Sequence, residues 1–387
     1  MKKSICVFTG GRAEYGLLRP LIDLLKEDKH FELRLLVSGM HTERQYGFTH
    51  REITQDGIKI DALVKILSED NSAQGIAQAM GRGINKFTKL LNQWKPDLVI
   101  VLGDRFESLA MSISAMLTRV PIAHLHGGEA TFGAMDEAIR HSITKMSHLH
   151  FTSSEEYRQR VIQLGEDPGR VFNVGALGID NIRQMKLLSR EELQTKMGVG
   201  LKERNLLVTF HPVTLQPGES AKQFQQLLNA LDKLRNTQLI FTKSNADMES
   251  LAINNLIEEY VKSRKDKAVV FASMGQLAYL SAMRYVDAVV GNSSSGIIEA
   301  PSFKIGTINI GDRQDGRVKA LSVIDCKAKT KDIKQALKYL YSTEFKIILQ
   351  TVTTPYGLPG AAQRIVNILK RQSLSGILIK KFFKLGV

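Results

Sequence analysis

Cysteine is almost missing from this sequence: Cys6 and Cys326 are the 2 in a chain of 387 residues. They stand far apart, outside any Cys-x-x-Cys pair or Cys/His cluster, which argues against a disulfide scaffold or a structural zinc and for a reducing compartment. Long apolar runs are missing too. None approaches the roughly 18 residues that cross a bilayer, and the apolar stretch behind the two N-terminal lysines covers only residues 4–9, so a cytoplasmic protein is expected. No helix-turn-helix, zinc-finger or RNP-type signature accompanies the formal net charge of +14, so nucleic acid is not an expected partner and an anionic small substrate is. Acidic residues stop at Glu344, whereas Lys346, Arg364, Lys370, Arg371, Lys380, Lys381 and Lys384 follow. Residues 366–387 therefore read as a basic tail that turnover does not need. A solvated or packed terminal helix is the plain expectation for it, and contact of the amphipathic residues 377–384 with anionic lipid the bolder one.

What is present is the alternation of a parallel α/β protein. Residues 4–9 form a continuous apolar run of strand length, followed by Gly10-Gly11-Arg12 and a helical pattern over 17–25. Further strands are expected at 31–37, 56–65, 97–102, 121–125, 148–152 and 171–175, with a long helix over 72–94 and a basic one over 155–164. The same grammar restarts at 206–210 and continues at 238–242, 268–272, 288–291 and 307–310. The expected fold is α/β: two doubly wound Rossmann-like domains facing a central cleft, residues 1–185 and 186–365, followed by the tail. In such sheets the carboxyl ends of the strands face the ligand, so loops just after strands are the places to look.

The densest of these loops is Pro121-Ile122-Ala123-His124-Leu125-His126-Gly127-Gly128-Glu129, continued by Met135-Asp136-Glu137-Ala138-Ile139-Arg140-His141. It sets carboxylates, a guanidinium and a histidine within two turns of a helix start, where a plain loop with Asp136 as helix cap is the bland alternative. Asp104 and Arg105 close the clearest buried strand. A core cannot hold them unpaired, so convergence with Glu129 is expected, against a salt bridge between sequence neighbours. Arg12 at the first glycine turn suits a phosphate, and His41 after the second strand is a candidate to line the crevice. In the second half, His211 and Asn245 follow strands. Gly291-Asn292-Ser293-Ser294-Ser295-Gly296 is a hydroxyl-rich turn into a helix, suited to an anion but without the lysine of a Walker loop, which argues against nucleoside triphosphate hydrolysis. Glu299 in that helix can accept two ribose hydroxyls, and Arg313 follows the next strand. No Gly-x-Gly-x-x-Gly indicates a dinucleotide, and no metal cluster is visible.

Taken in order, Gly11-Arg12-Ala13-Glu14-Tyr15-Gly16, Gly103-Asp104-Arg105, His126-Gly127-Gly128-Glu129, Asp136-Glu137-Ala138-Ile139-Arg140-His141, Gly291 to Gly296 and Gly311-Asp312-Arg313 closely resemble the UDP-N-acetylglucosamine 2-epimerase family. The run from Arg140 to His148 resembles its hydrolysing branch, and the match spans roughly residues 1–365. The resemblance implies a glycosyltransferase-B-like fold, no cofactor, a UDP-sugar substrate and a homodimer or homotetramer. It implies conversion of UDP-N-acetylglucosamine and water into N-acetylmannosamine and UDP through a 2-acetamidoglycal, on the way to sialic acid. It also implies catalytic roles for Asp104, Glu129 and Asp136, nucleotide contacts from His211, Ser293, Ser294, Glu299 and Arg313, and a diphosphate contact from Arg12. Arg105, Arg140, His141 and Asn245 join the substrate-binding candidates. The same chemistry on UDP-2,4-diacetamido-2,4,6-trideoxyglucose, for legionaminic acid, is the near alternative. A non-catalytic UDP-sugar sensor is the alternative of another class, predicting dispensable carboxylates.

Overall fold

The computed structural model describes residues 2–70, 72–132, 135–213, 218–244 and 250–384. Seven parallel strands make the first sheet: β1 Lys3–Thr9, β2 Phe31–Ser38, β3 Ala62–Val64, β4 Leu98–Leu102, β5 Ile122–Leu125, β6 Leu149–Thr152 and β7 Val171–Asn173. Their order is β3-β2-β1-β4-β5-β6-β7, the doubly wound arrangement, with the direction of winding reversing between β1 and β4. Successive residues of these central strands feed opposite cores. Ile5, Val7, Leu98 and Ile100 pack on one face, while Cys6, Phe8, Val99 and Val101 pack on the other. That two-sided burial is why the runs are continuously apolar instead of alternating.

The second sheet repeats the plan with β8 Arg204–Thr209, β9 Thr237–Thr242, β10 Ala268–Phe271, β11 Ala288–Gly291, β12 Gly306–Ile310 and β13 Val323–Cys326. Its order, β10-β9-β8-β11-β12-β13, places its own reversal between β8 and β11. Two details differ from expectation. The stretch 56–65 contributes only the three residues of β3, because the helix His50–Gln55 and a turn occupy the chain just before it. β13 is an edge strand whose residues are half-exposed, so it lacks the apolar run that marks its neighbours.

The chain divides into two compact units. One holds residues 1–129, 136–181 and 356–387, the other 130–135 and 182–355. The C-terminal segment thus belongs to the first unit and is no separate tail. Its helix Ala361–Arg371 sends Ala361, Ala362, Ile365, Val366 and Leu369 into the core that also contains Ile5 and Leu18. Burying each of the larger ones contributes roughly 1.5–3 kcal/mol. Buried Asp180 receives the free N–H groups at the helix start, with Oδ1 accepting from Gly360 at 2.5 Å and Ala361 at 3.0 Å and Oδ2 from Ala362 at 2.7 Å. Beyond the helix, Lys380 pairs with buried Glu166 at 2.7 Å, beside Lys145 at 2.6 Å and His150 at 3.0 Å. Phe383 donates its N–H to the Gly165 carbonyl at 2.9 Å. No described helix is long and apolar enough to cross a membrane.

Candidate active site

In the first unit the loops after β1, β4 and β5 lie side by side, because those strands are adjacent in the sheet. After β1 the Gly10 N–H donates to Glu14 Oε2 at 2.6 Å. Gly39 crosses so closely, at φ +58, that a Cβ there would lie 2.4 Å from the Gly10 carbonyl oxygen. Burial, reinforced by neighbouring Glu107, pushes the Glu14 carboxyl up to about 7. Arg12 opens the helix Arg12–Glu27 and pairs with Glu52 at 2.9 Å. His41 is a correction to the crevice role expected for it. It is fully buried, its Nε2 lies 3.1 Å from Thr9 Oγ1 and its Nδ1 2.8 Å from Thr49 Oγ1, and burial pushes its pKa down to about 4. It is a satisfied core residue that locks the loop after β2.

After β4, Gly103 adopts φ +75 and hands the chain to Asp104. Arg105 turns back on the helix that follows it, Nε reaching Glu107 Oε2 at 3.4 Å. Asp104 instead pairs with Arg140, whose guanidinium is 2% exposed and donates through Nη2 to Asp104 Oδ2. Nη1 of the same group lies 3.5 Å from Glu137 Oε2, and His141 Nε2 lies 3.1 Å from Glu137 Oε1. Arg140 therefore ties the end of β4 to the first turn of the helix Asp136–Met146, which begins with half-exposed Asp136. A guanidinium matches two carboxylates by its forked donors, and burying it unpaired would be prohibitive.

After β5, Glu129 is 3% exposed, accepts a hydrogen bond from Ser153 Oγ at 2.7 Å and lies 3.1 Å from His126 Nδ1. His124 reaches back to the neighbouring strand, its Nε2 donating to the Gly103 carbonyl at 2.8 Å while Nδ1 lies 3.1 Å from Thr144 Oγ1. Burial pushes His124 down to about 3, so it serves as a neutral brace beside Asp104. His124, His126, Glu137 and Ser153 were not singled out from the sequence. The first three stood inside the recognised motif, but only packing shows which of its polar groups face one another.

The second unit is built differently. The His211 N–H donates to Asn292 Oδ1 at 2.7 Å and Asn292 Nδ2 donates to the His211 carbonyl at 2.8 Å, a reciprocal amide pair joining the loops after β8 and β11. The Asn292 carbonyl accepts from Arg313 Nη1 at 3.1 Å and Gln314 Nε2 at 2.8 Å, which adds the loop after β12. His211, Ser293 and Arg313 are thereby gathered on one framework. The Ser293 hydroxyl caps the helix Ser294–Ile298, accepting from Ser295 N–H at 3.4 Å, and Glu299 closes that helix. Gly291 is obligatory, since a Cβ would stand 1.9 Å from the Thr209 carbonyl oxygen. Asn245 lies outside the described residues. Among the described residues no group of three or more His, Cys, Asp or Glu is arranged to hold a metal ion. Both cysteines are free, and burial, with neighbouring aspartates, pushes each thiol up to about 12, so neither is poised as a nucleophile.

A family model described as UDP-N-acetylglucosamine 2-epimerase matches residues 23–370. The GDP/UDP-N,N'-diacetylbacillosamine 2-epimerase (hydrolyzing) of Campylobacter jejuni is 40% identical over 385 residues, 99% of this chain and 100% of that protein. Polysialic acid biosynthesis protein P7 of Escherichia coli is 42% identical over 369 residues, 95% of this chain and 94% of the relative. Among solved structures, UDP-GlcNAc 2-epimerase from Neisseria meningitidis bound to UDP-GlcNAc superposes with a TM-score of 0.81 at 17% identity, covering 96% of this chain and 100% of that one. At that identity the superposition shows a shared glycosyltransferase-B-like fold.

Proposed function

Because the chain belongs to the UDP-N-acetylglucosamine 2-epimerase family, we propose that it is a hydrolysing 2-epimerase converting UDP-N-acetylglucosamine and water into N-acetylmannosamine and UDP. The observation that carries this reading is the set of carboxylates in unlike surroundings within one unit. Glu129 is buried under a hydroxyl donor, Asp104 is held by a buried guanidinium, and Asp136 stands half-exposed at a helix start. Removing a weakly acidic C2 proton and later delivering one to the other face needs acid and base groups held apart in environment.

Glu129 takes the C2 proton. The C2–H electron pair becomes the C1=C2 bond of a 2-acetamidoglycal, and the C1–O pair leaves with UDP. Asp136 then protonates C2 from the opposite face, water adds through its oxygen at C1, and the proton that the water loses passes to Asp104. Charge develops on the departing diphosphate, where Arg313 and the N–H groups around Ser293 and Ser294 lower the barrier. His211 and Glu299 hold the nucleotide, Glu299 through the ribose hydroxyls.

A second reading, the same reaction on UDP-2,4-diacetamido-2,4,6-trideoxyglucose, is favoured by the name of the Campylobacter relative, which aligns along its whole length. Proton NMR in deuterated water with each sugar nucleotide separates them. Release of UDP and N-acetylmannosamine deuterated at C2 supports the first reading. Turnover of the trideoxy substrate alone moves the protein to the second. Binding of UDP without turnover of either overturns both in favour of a sensor.

A further inference from the structure

The carboxylate proposed as base lies beside a histidine whose proton position can be deduced. The Leu177 N–H points at His126 Nε2 across 3.4 Å. A ring nitrogen that accepts a backbone N–H carries no proton, so the proton of this ring sits on Nδ1. Nδ1 lies 3.1 Å from Glu129 Oε1, the oxygen that also receives the Ser153 hydroxyl at 2.7 Å. Two residues earlier the opposite tautomer is imposed: His124 Nε2 faces the Gly103 carbonyl at 2.8 Å, and a carbonyl can only accept, so His124 carries its proton on Nε2.

The backbone supports the same conclusion. His126 has φ 62, the left-handed region that non-glycine residues occupy at a cost and keep where the surroundings over-determine them. Its own N–H is anchored on the Phe151 carbonyl at 2.8 Å. The loop that follows has no slack. A Cβ on Gly127 would lie 2.9 Å from His124 Nδ1, and one on Gly128, at φ +78, would lie 2.4 Å from the Tyr157 carbonyl oxygen. The ring of His126 is thus held from the backbone, from Leu177 and from the tight glycine turn, with Nδ1 3.1 Å from Glu129 Oε1.

We propose that His126 is the positioning residue for Glu129: the Leu177 N–H sets its tautomer, and its Nδ1–H aims the Glu129 carboxylate at the substrate without touching the reacting atoms. This rests on the reading of Glu129 as base. It places a second layer behind the carboxylate, of the kind whose loss slows the chemical step while leaving substrate binding in place.

Three variants and one spectrum test it, all on the full chain. In His126→Gly the left-handed backbone remains comfortable and the donor is lost. We expect kcat to fall by about a hundredfold with KM for the sugar nucleotide within roughly threefold, the signature of an interaction that matters in the transition state. In His126→Asn the residue tolerates positive φ and its amide N–H replaces Nδ1–H, so kcat recovers to within about tenfold of the parent. In Ser153→Ala the second donor to the same oxygen goes, and we expect about a tenfold loss in kcat, again at unchanged KM. Nitrogen-15 NMR of histidine-labelled protein, assigned by subtraction of His126→Asn, should show Nε2 bare and Nδ1 protonated. A protonated Nε2, a His126→Gly enzyme at parental kcat, an equally folded His126→Asn as inactive as His126→Gly, or a raised KM at unchanged kcat would each overturn the proposal. Should the parent protein turn over neither sugar nucleotide, the functional reading fails, while the spectrum still decides the tautomer.

Discussion

The loops after β1, β4 and β5 and those after β8, β11 and β12 stand at equivalent places in two sheets with the same strand order, yet they are made of different chemistry. The first set is crowded with groups that gain or lose protons: Glu14 pushed up to about 7, His124 pushed down to about 3, and Glu129, Asp104 and Glu137 fastened by His126, Ser153 and Arg140. The second set is organised by the neutral Asn292, which links His211, Arg313 and Gln314 through backbone and amide hydrogen bonds. One sheet end thus gathers titratable side chains, the other neutral amides and fixed donors. On the function proposed above, a single topology would support two tasks, because the strands supply the places and the loops supply the groups.

The sharpest way to break this contrast is Glu129→Gln. It keeps shape and removes the carboxylate proposed as base, so kcat should fall by about a thousandfold while UDP affinity by calorimetry stays within roughly threefold. Parental kcat would remove the first set from the chemistry. A change on the other side should show the reverse pattern. On the proposed reading Glu299→Gln weakens ribose contacts that are the same in ground and transition states, so KM and the Kd for UDP should rise about tenfold with kcat nearly unchanged. A kcat loss exceeding the change in KM would blur the division of labour.

The smallest effect concerns the frame and not the site. Burial opposes the charge on Glu166, but the hydrogen bonds of His150, Lys145 and Lys380 win and pull its carboxyl from 4.5 down to about 2. A carboxyl depressed on folding contributes stability above its ordinary value and loses it as pH falls through the folded one. Lys380→Met should therefore cost about 1 kcal/mol near neutral pH in urea unfolding. The gap between parent and variant should close between pH 4.5 and about 2. A gap that persists at pH 2 would mean that Lys380 acts instead through packing or through its hydrogen bonds to the Lys145 and Ser147 carbonyls.

This C-terminal segment also shows where sequence reasoning stopped. Residues 366–387 read as a basic tail and residues 361–365 as the end of the second domain, because the partners of this segment, Glu166 and Asp180, lie some two hundred positions away along the chain. His41 looked like a crevice group because it follows a strand, and only the approach of Thr9 and Thr49 makes it interior. Arg140 stood within the densest motif, but its pairing with Asp104 in addition to the nearby Glu137 depends on β4 and β5 being neighbours. By contrast β1, β4, β8 and β11 were legible, since a strand buried on both faces must be apolar throughout, and β13 at the sheet edge was not.

Local chemistry, written in order along the chain, determined the parallel α/β class, the glycine turns, the family and the carboxylates worth suspecting. Tertiary structure alone decided which groups pair: the Arg140 bridge between Asp104 and Glu137, the tautomer of His126 behind Glu129, the Asn292 hub, and the return of the C-terminus to the first unit. The reason is physical. Propensity, turn geometry and apolar patterning act over a few residues, whereas the energy of a buried polar group depends on whichever partner the fold brings within hydrogen-bond reach.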